Sequence, residues 1–313
     1  MNYQLEINEP IDVGVRRIAT ELIDDAIARI EAPDRDPHEV VHEVRKDCKK
    51  LRGLLRLIRP QVPKLYKAEN KYFRDAAAAL SGIRDAEAAS ESYDALLNAF
   101  EGEVDRQGLA PVRRALTMHK QHLAEHQGDL DARLEAFGEQ MRAARKRVAD
   151  WRLPADDAKH GKGGFGLLQG GLTKTYARGR KAMDVACGDP EVETFHDWRK
   201  RAKYLRYHLR LLRPIWPQVF KCTRKEVKRL GDLLGDDHDF AILEKVLKDG
   251  LANDPDEGRL EVLDALMRQR SIQLRDEAEW LGRRIYAEKP KVFRKRIGGY
   301  WATAHTEQEA TMA

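Results

Sequence analysis

The chain has 313 residues, 57 of them Lys or Arg and 52 Asp or Glu, for a formal net charge of +5 at pH 7. Ala, Leu, Arg, Glu and Asp dominate and β-branched runs are scarce, which favours an all-helical protein. No apolar run approaches the ~18 residues of a membrane span, and no basic segment followed by an apolar one opens the chain, so neither secretion nor membrane insertion is expected, and a cytoplasmic protein is. The three cysteines, Cys48, Cys187 and Cys222, are too few and too odd for a disulfide framework, and reduced thiols are expected.

In chain order, residues 1–10 read as a polar lead-in and 11–31 as a first helix. Asp36 is a candidate N-cap with Pro37 at N1, starting a second helix that Pro60 and Pro63 end. Residues 64–80 and 83–100 predict a third and a fourth helix. A loop around Gly102–Gly108 leads into a helical stretch over 110–150. The Gly-rich segment 152–166 is the one clear break. Beyond it a helix is predicted over 167–186. Asp189-Pro190 starts the next, Pro214 and Pro217 stop it, and further helices are predicted at about 238–249 and 258–287. The tail from Lys289 lacks pattern, and fraying is expected after Ala302. The domain reading is a first bundle over 11–151, a linker over 152–166, a second bundle over 167–288 and a tail over 289–313.

The organising feature is a duplication. Residues 42–63, HEVRKDCKKLRGLLRLIRPQVP, recur without a gap at 196–217 as HDWRKRAKYLRYHLRLLRPIWP, identical at twelve of twenty-two positions. At about 100° per residue, His42, Arg45, Lys46, Lys49, Arg52 and Arg56 form one stripe of a helix, and His196, Arg199, Lys200, Lys203, Arg206 and Arg210 form its copy. Val41, Val44, Cys48, Leu51, Leu55 and Ile58 lie opposite, as do Phe195, Trp198, Ala202, Leu205, Leu209 and Leu212. Each segment carries seven Lys/Arg against one or two acids, so the rest of the chain is slightly acidic. Like charges one helical turn apart repel; a multivalent anion along the stripe turns that repulsion into attraction. Neighbouring helices add Lys67, Lys71 and Arg74, their copies Lys221, Lys225 and Lys228, and the row Lys174, Arg178 and Lys181. A duplicated bundle commonly packs about a pseudo-twofold axis, which would let the two stripes line one basic groove.

The doubled H-x-x-R-K-x-x-K-x-x-R pattern at His42–Arg52 and His196–Arg206, with Arg84-Asp85 and His238-Asp239 following, resembles the conserved-histidine α-helical domain family, CHAD. The resemblance covers about residues 10–290. It implies an all-α fold of two four-helix-type bundles around a basic cavity, binding of inorganic polyphosphate, and association with polyphosphate granules. Some members carry a triphosphate-processing domain. None is visible here, so a stand-alone domain is expected. The residues suit that ligand: polyphosphate has about one charge per unit and no bases, and rows of Arg and Lys read it without stacking platforms.

Other chemistry ranks lower. A phosphohydrolase or kinase needs carboxylates to hold metal opposite the cations, and the stripes carry almost none; no enzyme, metal or cofactor is expected. His119, His122 and His126 have helical spacing but no counterpart in the second half. His196-Asp197 and His238-Asp239 form histidine–aspartate pairs that the first half does not repeat. Gly161, Gly163 and Gly164 lack the spacing of a phosphate loop. Tyr204 and Tyr207 are the only aromatic residues near a stripe, so nucleic acid ranks below polyphosphate as a partner. Trp198 and Trp216 are read as core.

Overall fold

The computed structural model describes residues 3–80, 83–126, 130–154, 164–250 and 257–312, without the side chains of 83–88, 120, 122–126, 249, 250, 257 and 312. The described residues are all-helical. In the first half these are α1 (Ile11–Glu31), α2 (Pro37–Ile58), α3 (Pro63–Ala79), α4 (Ile83–Ala99), α5 (Ala110–His126) and α6 (Leu130–Ala149). The second half contains α7 (Phe165–Gly188), α8 (Val192–Leu211), α9 (Pro217–Gly250), α10 (Glu257–Ile285) and α11 (Pro290–Met312). None of them is long and apolar enough to cross a membrane.

The caps follow local chemistry. Asp36 accepts a hydrogen bond from His38 N at 2.9 Å and Pro37 occupies the first turn of α2, where its missing N–H is not needed. α8 begins two residues beyond Pro190, after Glu191. Its last turn tightens into a 3₁₀ turn at Arg213–Ile215 before Pro217 opens α9.

Two apolar cores result, and each draws residues from both halves of the chain. The larger holds the apolar stripes of α2 and α8: Val44, Leu55, Trp198 and Ala202 are fully buried. It continues through α1, α3, α6, α7, the start of α9, the end of α10, and α11. The smaller joins α4 and α5 to the later part of α9 and the first part of α10, around Tyr93, Leu96, Leu243 and Leu263. Each such buried side chain contributes about 1.5–3 kcal/mol. α2 and α7 approach so closely that a Cβ on Gly171 would stand 1.8 Å from Leu57 O.

Four expectations are corrected here. The lead-in is not simply polar: Tyr3 and Leu5 are buried, Leu5 N donates to Leu211 O at 2.9 Å, and Tyr3 Oη to Lys50 O at 2.8 Å. Residues 217–250 form one helix rather than two, because nothing after Leu234 interrupts the hydrogen-bond ladder. The tail forms α11, whose Phe293, Ile297 and Trp301 are buried at four-residue steps. Trp216 is not core: the 3₁₀ turn swings it out to 44 % exposure, edge-on to Tyr300.

Candidate functional site

α2 and α8 touch at equivalent positions of the duplicated motif. Gly53 faces its counterpart Tyr207: a Cβ on the glycine would stand 3.1 Å from Tyr207 Cβ. One residue on, His208 Nε2 lies 3.0 Å from Gly53 O. A carbonyl can only accept, so Nε2 carries the proton. Burial drives the His208 pKa down to about 3, and the ring is neutral. The glycine eases the contact, because even a Cβ at position 53 would sit tight against Tyr207 and Tyr3 Oη.

One turn away, a cation of the first stripe acts on a cation of the second. Lys203 has its pKa lowered to about 7, first by burial and then by Arg199, Lys49 and Arg206, with Asp239 opposing the shift. Lys49 is the repeat counterpart of Lys203. Arg199 Nη1 stands 3.6 Å from Asp239, while its Nε is buried with no hydrogen-bond partner. The glycine at 235 leaves room for that guanidinium, since a Cβ there would come within 2.9 Å of it. His196 and His238 lie ring against ring, tilted by 32° with centroids 3.9 Å apart, and both Nδ1 atoms are buried without a partner. Burial, then His238 and the cations Lys200, Arg199 and Lys203, pull His196 down to about 4. Buried polar atoms left unpaired are rare. Here they are nitrogens, and they cluster beside a partly dehydrated row of cations.

The rest of the first stripe is more committed. Arg45 Nη1 donates to Ala77 O at 2.6 Å, and Lys46 pairs with Glu43, which also lies 3.7 Å from His42. Arg52 Nε and Arg56 Nη1 both donate to Asn70 Oδ1, at 3.3 and 2.7 Å. Arg56 is 8 % exposed and its guanidinium lies 3.8 Å above the Tyr204 ring. Burial lowers its pKa to about 10, with Tyr204 partly opposing the shift. Arg56 of the first stripe is thus enclosed between α3 and α8. In the second copy, Arg206 reaches over Tyr207 and Arg210 over Tyr3, at 5.5 and 5.9 Å. Lys200 is exposed.

The CHAD domain model matches residues 17–248. The chain belongs to the CHAD family. The match takes in both copies of the basic helix, while α10 and α11 lie beyond it. A comparison with curated proteins found no match.

Within this CHAD fold the outlying cations separate into groups. Lys67 is exposed, and Lys71 and Arg74 both pair with Asp75 on α3 itself. Lys221 and Lys225 are exposed, and Lys228 pairs with Asp232. The position that α3 and α9 present to the stripes is instead 70 and its counterpart 224. Asn70 binds Arg52 and Arg56; Arg224, half-buried with an unpartnered Nε, lies by Arg206 and Arg210. Its signal was the 154-residue offset, but the copies differ there, so counting identities passes over it. Lys174, Arg178 and Lys181 are exposed on α7.

Among the described residues no group of three or more His, Cys, Asp or Glu could hold a metal. The side chains of His122 and His126 lie outside the described residues, as do those of Arg84 and Asp85, and Gly161 and Gly163. Gly164 precedes α7 in a left-handed conformation, φ 72°.

Proposed function

We propose that this CHAD protein binds inorganic polyphosphate, without transforming it, along a groove formed by the two basic stripes. The observation that carries the reading is the meeting of Lys49, Arg199, Lys203 and Arg206, which dehydrates one ammonium enough to pull its pKa to about 7. Such crowding costs stability, and a chain of phosphates laid between the stripes offsets it. The unpartnered nitrogens of Arg199, His196, His238 and Arg224 are donors or protonation sites awaiting acceptors. The equivalent contacts of Gly53 with Tyr207 and Lys49 with Lys203 support an approximate twofold axis through the crossing, so that both copies address one ligand. On this reading, association with polyphosphate granules follows from the ligand.

The test is binding of labelled polyphosphate to the wild type and to the Arg45→Glu/Arg199→Glu variant. Loss of binding with retained helical circular dichroism is expected, and unchanged affinity would overturn the reading. Displacement by DNA or RNA at equal phosphate concentration would replace it with a nucleic-acid binder. Chain shortening on addition of Mg²⁺ would replace it with a hydrolase.

A further inference from the structure

The duplication breaks down in one corner, and the break is electrostatic. Position 201 of α8 is Arg, where the first copy has Asp47. α1 and α7 bury matching positions at an offset of 153, as in Gly14/Leu167, Ile18/Gly171 and Ala26/Gly179. That register sets Arg178 against Asp25, and Ala182 against Arg29. In the first half these residues close on one another: Asp47, 1 % exposed, accepts from Arg29 and Lys50 at 2.6 Å each, and Asp25 lies 3.8 Å from Arg29. In the second half both aspartates have become arginines and the intervening arginine has become alanine. A cleft of about 490 Å³ lies there, bordered by Arg178, Lys181, Ala182 and Arg201 together with Glu193 and Asp197. Asp197 holds the Arg201 guanidinium by a fork at 2.8 and 3.1 Å.

Arg59, the residue after α2, stands near enough to Arg178 and Arg201 for their charges to act on it. Arg59 is 7 % exposed, and its Nε and Nη2 have no hydrogen-bond partner. Burial lowers its pKa, the charges of Arg178 and Arg201 lower it further, and the Tyr66 side chain partly compensates. A buried guanidinium with two idle donors beside two more cations is destabilising unless an anion joins it.

We propose that Arg59, Arg178 and Arg201 form an anion site at one end only of the groove, which takes the terminal phosphate of the bound chain. The identity of the occupant rests on the polyphosphate reading; the anion site does not. A terminal phosphate titrates a second time near neutral pH, with a pKa of about 6, so it carries more charge than the internal units. It therefore suits a group of neighbouring cations better than an internal unit does. The site would give the duplicated groove a direction.

Arg59 lies ten residues beyond Lys49, roughly 15 Å along α2, so pyrophosphate cannot bridge this corner and the stripe crossing. Calorimetric titration with pyrophosphate and with long-chain polyphosphate is run on wild type, Arg199→Glu, Arg178→Gln and Arg201→Gln. Pyrophosphate should bind wild type and Arg199→Glu, and bind Arg178→Gln and Arg201→Gln about tenfold more weakly or worse, which is ~1.4 kcal/mol or more. Long chains should lose binding in Arg199→Glu and retain it, weakened, in the other two. The proposal is overturned if wild type ignores pyrophosphate, or if both Gln variants keep its full affinity. If pyrophosphate follows the expected pattern but long chains bind no variant and no wild type, the site stands and the groove reading falls.

Discussion

Lys49 and Lys203 are the same residue of one duplicated motif, 154 positions apart in sequence, and the fold sets them near enough for each charge to disfavour the other. Two cations approach in this way only where the surrounding packing forces them. The helix crossing at Gly53 and Tyr207, one turn further on, does that here.

The first prediction concerns protons. Burial holds the Lys203 pKa at about 7, and a polyanion returns it toward the ordinary lysine range, about 10.4. Its contribution to binding is therefore complete below pH 7 and is lost as pH rises toward the bound-state value. Affinity should weaken by up to about tenfold per unit above pH 7. Titrations at pH 8 in buffers of different ionisation enthalpy should show uptake of close to one proton per complex.

Stability should run the other way. The unfolded chain binds more protons at Lys203 than the folded one between pH 7 and about 10.4, so the fold gains stability as pH rises through that window. Lys203→Met removes the penalty and should stabilise the protein at pH 7, by on the order of a few kcal/mol. Thermal denaturation should show a raised Tm, and polyphosphate titration of the same variant should show weaker binding.

The close approach of α2 and α7 gives a packing prediction. A methyl on Gly171 would overlap Leu57 O, and backbone cannot yield as a side chain does. Gly171→Ala should cost about 3 kcal/mol, read as a lowered urea midpoint with an unchanged slope.

α11 belongs to the core and should behave so. Trp301 is 2 % exposed and packs against Phe165 at 5.8 Å between ring centroids. Trp301→Ala should cost about 3–5 kcal/mol in chemical denaturation. A frayed tail would lose nothing.

Salt provides the last test. If the stripes release counterions as basic DNA-binding surfaces do, log affinity for polyphosphate should fall linearly with log salt. Arg206→Gln should lower that slope by about one. An unchanged slope would remove Arg206 from the contact.

Much of this was legible in the sequence because helical periodicity is local. The spacing that puts Val44, Cys48 and Leu55 in the core puts Arg45, Lys49 and Arg52 on the other side, and both assignments need only the 3.6-residue repeat. α11 was harder: Phe293, Ile297 and Trp301 are three large apolar residues at four-residue steps among cations and alanines, a thin signal until α7 is there to receive it. Trp216 misleads because a helical pattern carried through to it puts it on the core face, whereas α8 ends at Leu211 and the 3₁₀ turn Arg213–Ile215 leaves it exposed.

The sequence by itself determined the helices, the duplication, and the face on which each cation stands, since these depend on residues within a turn or two of one another. Tertiary structure decided which of those cations lose their water. Lys203 against Lys49, Arg56 against Tyr204, and Arg59 against Arg178 and Arg201 are meetings between helices distant in the chain. Desolvation and charge–charge repulsion depend on what lies across the gap, and no local pattern specifies that.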